Sequence, residues 1–130
     1  MAATYLDSSA IIKLAVREQE SVALRRYLRR RRPLVSSALA RTEVLRALRP
    51  AGDDAISAGR NVLKRLDLVR INNRVLEAAA KLLPVEVRSL DAIHLATVEQ
   101  LGDDLGALIT YDDRMAEVAK QSGHRVVTPR

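Results

Sequence analysis

The sequence predicts an α/β domain built on a parallel sheet with helices on both sides. Three observations carry that expectation. Short apolar segments suited to strands alternate with longer stretches of helical periodicity along the whole chain, as in parallel sheets joined by crossover helices. The 130 residues match one domain of ordinary size, so residues 1–130 are read as a single unit. Hydrophobic residues make up 48% and charged residues 29%, a balance that can offset the entropy of folding where a disordered chain's cannot.

The elements follow in order. The start, TYLDSSAIIKLAV, reads as a short buried strand ending near Leu6, then a turn in which Ser8 or Ser9 caps a helix carrying Ile11, Ile12 and Leu14. A helical pattern from Ser21 to Arg32 is stopped by Pro33. Leu34 and Val35 make a second short strand, with Ser36 or Ser37 capping a helix that runs through Leu39, Val44, Leu45 and Leu48 to Pro50. A helix holding Ile56, Val62, Leu63 and Leu66 leads into a third strand, Leu68 to Ile71. Asn72 or Asn73 caps the helix from Arg74 to Leu83, which Pro84 ends. Ser89 caps the next helix, with Leu90, Ile93, Leu95 and Val98 near one stripe and Gly102 as its stop. Ala107 to Thr110 is the fourth strand. Met115, Val118 and Ala119 mark a last helix closed by Gly123, and Arg125 to Thr128 is the fifth strand or edge.

Composition excludes several function classes. The chain has no Cys, which removes disulfide scaffolds, thiolate zinc sites and cysteine nucleophiles and points to a reducing compartment. With no Trp, no Phe and three Tyr, aromatic base-stacking platforms are not its main binding device. No apolar run exceeds three residues and Asp7 and Lys13 interrupt the N-terminus, so neither a signal peptide nor a membrane span is expected and a soluble, cytoplasmic protein is. The 22 Lys+Arg exceed the 16 Asp+Glu, giving +6 and a sequence pI near 10.3, which suggests a polyanionic partner such as nucleic acid.

Four carboxylates resist explanation as solvated surface. Asp7 follows the apolar Tyr5-Leu6, Glu43 lies inside an apolar helix, Asp91 sits in a helix first turn between Leu90 and Ala92, and Asp112 closes the strand Leu108-Ile109-Thr110. Asp7 and Asp112 fall just after the first and fourth strands, at the sheet end where open α/β folds keep their crevice. Taken singly, Asp7 is equally a helix cap, Asp91 a complement to a helix dipole, and Glu43 a surface partner of Arg41 or Arg46. Converging carboxylates repel, and the remedies are raised pKa values, Arg or Lys partners, or a hard cation such as Mg²⁺ or Mn²⁺.

Tyr5-Leu6-Asp7-Ser8-Ser9-Ala10, Thr42-Glu43-Val44, Ser89-Leu90-Asp91-Ala92-Ile93-His94-Leu95-Ala96 and Thr110-Tyr111-Asp112 together resemble PIN-domain nucleases, most closely the VapC-type toxins of toxin–antitoxin pairs. The resemblance runs over essentially the whole chain. It implies a parallel sheet of order 3-2-1-4-5 in a three-layer domain and a Mg²⁺- or Mn²⁺-dependent endoribonuclease. In that reading Asp7, Glu43, Asp91 and Asp112 form the acidic site. Asp7 and Asp91 are its principal metal ligands, Asp112 is a direct or water-mediated one, and Glu43 either holds a second cation or orients the attacking water. Ser9 is favoured over Ser8 as the family's hydroxyl, Asp112 over Asp113 as the fourth acid. Ser9 and Thr110 are expected to bind substrate, with Arg114 as a local phosphate contact. The implied partners are an RNA substrate, a small antitoxin lying over the active-site groove and a second copy in a homodimer. Leu39 and Leu45 are candidates for the dimer surface, although core packing explains them equally well.

Other residues are weighed against plainer roles. His94, one turn after Asp91, reads as a packed structural histidine rather than a general acid, and His124 as an exposed turn residue. The six Arg between positions 25 and 32 form either an RNA-binding stripe or a solvated helix face. A phosphoacceptor receiver domain would need paired acids after the first strand, and a haloacid-type phosphatase an Asp where Ser9 stands; neither is present. The remaining alternative is a non-catalytic PIN-like module that binds RNA or protein.

Overall fold

A computed structural model describes residues 2–130. Five strands form one sheet of order β3-β2-β1-β4-β5 with every pair parallel: β1 (Ala3–Leu6), β2 (Leu34–Ser37), β3 (Asp67–Val69), β4 (Leu105–Ile109) and β5 (Val126–Val127). The order expected from the family resemblance is the order found. Seven helices connect the strands: α1 (Ser8–Ala15), α2 (Ser21–Leu28), α3 (Ala40–Leu48), α4 (Asp53–Lys64), α5 (Asn73–Ala80), α6 (Ser89–Leu101) and α7 (Asp113–Gln121).

β1, β2 and the carboxyl half of β4 are buried, and the residues of β1 and β4 alternate between two separate cores, as the period-2 geometry of a strand requires. Leu6 of β1 and Ala107 and Ile109 of β4 face a core with Ile11, Leu24, Val44 and Leu63 from α1 to α4. Tyr5 and Leu108 face the opposite core with Leu95, Val98, Met115 and Ala119 from α6 and α7. Tyr5 is therefore committed to the α6 side of the sheet, which decides its later role.

Several boundaries differ from the sequence-based expectation, each for a local reason. α2 ends at Leu28, not Arg32. Arg32 donates to Leu28 O (3.0 Å) and Arg31 to Tyr27 O (2.6 Å) while its guanidinium lies 3.7 Å from the Tyr27 ring. The arginines thus satisfy the last helix carbonyls from outside the helix. The cap of α1 is Asp7 rather than Ser8 or Ser9, because its Oδ1 accepts from Ala10 N at 3.0 Å. Ser37 accepts from Leu39 N but lies before α3, and Arg88, not Ser89, holds the cap position of α6. Asn72 caps α5 by accepting from Val75 N, as expected. Strand β3 begins at Asp67 because that residue pairs with Val35. Gly102 ends α6 with φ +53, a backbone that other residues rarely adopt.

Because the sheet is parallel, all strand carboxyl ends lie on one side of the molecule. Asp7 directly follows β1 and Asp112 follows β4 by three residues. α3 follows β2, so its first turn, with Glu43, begins at that same end. α6 leads back to the amino end of β4, so its first turn, with Asp91, starts there too. The chain reverses direction across the sheet between β1 and β4, the position where open α/β folds form their crevice. Arg29 to Arg32 instead precede β2 and sit at the amino end, away from the acids.

Candidate active site

Asp7 is 3% exposed and both oxygens of its carboxyl accept hydrogen bonds. Oδ1 accepts from Ser9 Oγ (2.6 Å) and Ala10 N (3.0 Å), and Oδ2 from Thr110 Oγ1 (2.5 Å). Burial pushes its carboxyl above the ordinary value, against the lowering pull of those three donors. Ser9 Oγ also accepts from Tyr111 N, and Thr110 Oγ1 from Asp112 N. Thr110 is completely buried, which places it behind the acid rather than in front of it. Both hydroxyls expected to meet substrate are, in this structure, turned onto Asp7.

Glu43 is half-buried and accepts from Ser8 Oγ (2.5 Å) and His94 Nε2 (2.6 Å). Burial works against its charge, but the bonds from His94 and Ser8 outweigh it and hold the carboxyl below the ordinary range. A carboxylate only accepts, so Nε2 of His94 carries a proton. The other ring nitrogen, Nδ1, lies 2.7 Å from Tyr5 Oη. Tyr5 is fully buried and His94 is 1% exposed, and burial drives the tyrosine pKa far upward so that it stays a phenol. Tyr5, His94, Glu43 and Ser8 form one chain of hydrogen bonds running from the α6-side core to the crevice.

Asp91 and Asp112 share a guanidinium. Arg88 Nε stands 3.4 Å from Asp91 Oδ2 and its NH2 group 3.8 Å from Asp112 Oδ2. Burial raises the Asp91 carboxyl first, the charge of Asp112 raises it further, and Arg88 and His94 offset only part of that. Asp112 Oδ1 meanwhile accepts from Arg114 N and Met115 N as the cap of α7. Asp113 is exposed, while Asp112 is the acid whose charge raises the Asp91 carboxyl.

Among the described residues no three acidic or histidine side chains stand close enough together to enclose an ion. The donor set nevertheless suits a hard cation. Asp7 is a buried carboxyl whose partners are only hydroxyls and one N–H, and Asp91 feels Asp112 and Glu43 with a mostly exposed Arg88 as their counter-charge. Oxygen-only acidic sets with excess negative charge are what Mg²⁺ and Mn²⁺ prefer.

Three contributors were not assigned to the site from sequence: Arg88, Tyr5 and His94 in its bond to Glu43. Arg88 had a local signal, since it lies three residues before Asp91 on one helix face. His94 is buried as a packed histidine is, and also bonds a site acid. His124 is half-buried, not exposed, with Nε2 lacking a partner among the described residues.

A sheet with this strand order and acids from β1, α3, α6 and β4 at its carboxyl end defines a nuclease-like α/β class, and a family model for the PIN domain matches residues 4–121. The chain belongs to the PIN-domain family. Within it, the chain is 64% identical to "Ribonuclease VapC46" of Mycobacterium tuberculosis over 129 residues, covering 99% of each. It is 41% identical to "Ribonuclease VapC35" of the same species, covering 96% of each. Two solved structures share the fold. The crystal structure of M. tuberculosis VapC20, described as a sarcin-ricin loop cleaving toxin, superposes with a TM-score of 0.77 at 17% identity, covering 97% of this chain and 99% of that one. A toxin–antitoxin complex from Klebsiella pneumoniae gives 0.74 at 23% identity, with 98% of each covered. The chain is thus a VapC-type member of the family.

Proposed function

We propose that this chain is the toxin of a toxin–antitoxin pair, an endoribonuclease that hydrolyses RNA phosphodiester bonds with the help of Mg²⁺ or Mn²⁺ and is held in check by a small antitoxin. The observation that carries the reading is the gathering of Asp7, Glu43, Asp91 and Asp112 at one sheet end, with Asp7 and Asp91 both pushed upward by burial. The full-length likeness to ribonucleases named VapC supports it.

Asp7, Asp91 and Asp112 are the residues that would hold the ion. A bound divalent cation neutralises phosphate charge and lowers the pKa of a coordinated water. The protein's own contribution is positional. Ser9, Thr110 and Ala10 N fix both oxygens of Asp7 so that its charge cannot turn away from the crevice. His94 and Ser8 keep Glu43 ionised and aimed, so that it can accept a proton from, or orient, an attacking water. Arg88 and Arg114, on the rim, meet the phosphate as its negative charge enters an acidic site.

An antitoxin and a second toxin copy belong to the same reading. Leu83, Val85 and Leu90 are 72%, 83% and 49% exposed between α5 and the start of α6, an apolar surface that a protein partner would cover. Leu45, offered above for the dimer, packs against the α1–α4 core instead. No helix among the described residues is long and apolar enough to cross a membrane.

The purified chain, freed from its antitoxin, should cut RNA with Mg²⁺ or Mn²⁺ and stop on chelation. Asp7→Asn and Asp91→Asn should fold, by circular dichroism, yet lose at least about 100-fold in kcat. RNA binding without cleavage by the wild type under all these conditions would leave only a binding module, and cleavage indifferent to Asp91→Asn would refute the four-acid site.

A further inference from the structure

Beside the acids lies a cleft of about 340 Å³ between α6 and α7. Its α6 wall is the stripe Arg88, Asp91, Leu95 and its α7 wall the stripe Arg114, Val118, Gln121, both at the three- and four-residue spacing that puts side chains on one helix face. The two stripes run in the same sense. At one end Arg88 and Arg114 stand next to Asp91, so the mouth of the cleft and the acid site share a residue. Further in, Leu95 and Val118 are apolar, and Gln121 offers a hydrogen-bonding edge.

We infer that this cleft is a nucleotide subsite: it receives one unstacked base of single-stranded RNA next to the bond being cut, with that nucleotide's phosphate on Arg88 and Arg114. The inference rests on the ribonuclease reading above and adds which part of the RNA is recognised and where. Four features of the site point to this occupant. The two cations of the cleft, Arg88 and Arg114, are at the end shared with the site acids, so a phosphate held on them lies next to Asp91, although Glu86 and Glu117 also line the wall. The apolar middle, with Leu95 and Val118, suits the face of an unstacked base. Gln121, at the far end, can pair with a base edge. The volume of about 340 Å³ is that of a small-molecule pocket, room for a single base.

The cleft then makes the enzyme selective at one position beside the cut, because a base that fits brings its phosphate onto the arginines and a base that does not leaves polar groups unpaired.

The test is to digest RNA carrying a randomised single-stranded stretch with wild type, Val118→Trp and Gln121→Ala in Mn²⁺, and to sequence the new ends. Val118→Trp fills the cleft; Gln121→Ala, at an exposed position, removes only the polar edge and keeps the test open should the first variant fold poorly. Wild type is expected to show a base preference at one flanking position. Val118→Trp should flatten it and raise KM about tenfold or more, and Gln121→Ala should alter the preferred base. If wild type cleaves and both folded variants retain its preference and KM, the cleft is not a base site and the ribonuclease reading stands without it. If those variants instead weaken binding of the antitoxin alone, the occupant is a peptide and the inference is overturned. If wild type cleaves no RNA, the ribonuclease reading fails and takes this one with it.

Discussion

Tyr5→Phe removes a single oxygen from the interior and leaves the ring packing in place. The oxygen lies 2.7 Å from His94 Nδ1, between a fully buried tyrosine and a histidine that is 1% exposed. No water reaches the nitrogen left behind, so the substitution costs the desolvation of an unpaired buried polar group, about 1–3 kcal/mol. At roughly 2.1 cal/mol/K per residue, 130 residues unfold with an entropy of about 0.27 kcal/mol/K, and Tm should fall by about 4–11 °C. The same change loosens the ring that aims Glu43, so kcat for RNA should drop by about tenfold with KM little altered, the behaviour of a positioning group. Thermal denaturation and steady-state cleavage measure the two effects. A double-mutant cycle with Glu43→Gln, read on stability, should show a coupling of at least about 0.5 kcal/mol although the tyrosine and the glutamate do not touch. A Tm within about 1 °C of wild type, or effects that add to within about 0.3 kcal/mol, would mean that the three side chains are not one network.

Two further predictions follow from the charges. Asp112→Asn should lower the Asp91 pKa, since Asp112 is its second largest upward influence after burial; carbon-detected NMR titration in chelator measures it. A raised carboxyl pKa means the folded chain holds the proton more tightly than the unfolded one, so the stability Asp91 contributes is fully present below the ordinary carboxylate value and lost as pH rises through its folded pKa. Asp112→Asn should therefore flatten that part of the stability profile, and an unmoved Asp91 titration would show that the two acids do not share a field. Arg29→Glu with Arg30→Glu should leave cleavage and the salt slope of RNA affinity unchanged, because both arginines lie at the strand amino ends. A slope reduced by about 1–2 would instead restore the RNA-binding stripe.

How much of this was legible in sequence depends on how local each cause is. Strand and helix order could be read because burial on two faces and the 3.6 period are written in consecutive residues. Asp7 and Asp112 stood out because each comes within three residues of the end of an apolar strand, where chain direction alone fixes the end of the sheet. The cap of α1 was assigned to Ser8 or Ser9 although Asp7 read equally as one, because a single carboxylate serves two purposes there: Asp7, like Asp112, both caps a helix and stands at the crevice. Arg88 was missed because an exposed arginine before a helix has many harmless explanations, and only the meeting of α6 with the end of β4 gives it two acids to hold.

His94 shows the limit most plainly. Its partners lie 89 and 51 residues away, and they meet it only because β1 is central and Tyr5 points to the α6 face. In sequence it could be weighed only as core or as catalyst, and burial argued for core. Yet Glu43 is a partly desolvated acid held below its ordinary pKa, and the pull of His94 that offsets this burial is the stronger for being sheltered from solvent, which would screen it and compete for its proton. The histidine has to be buried in order to act on the acid, and Tyr5 has to be buried with it to satisfy its second nitrogen. Burial at this position is therefore a requirement of the site, and the packing that disguised His94 is the means by which it holds Glu43.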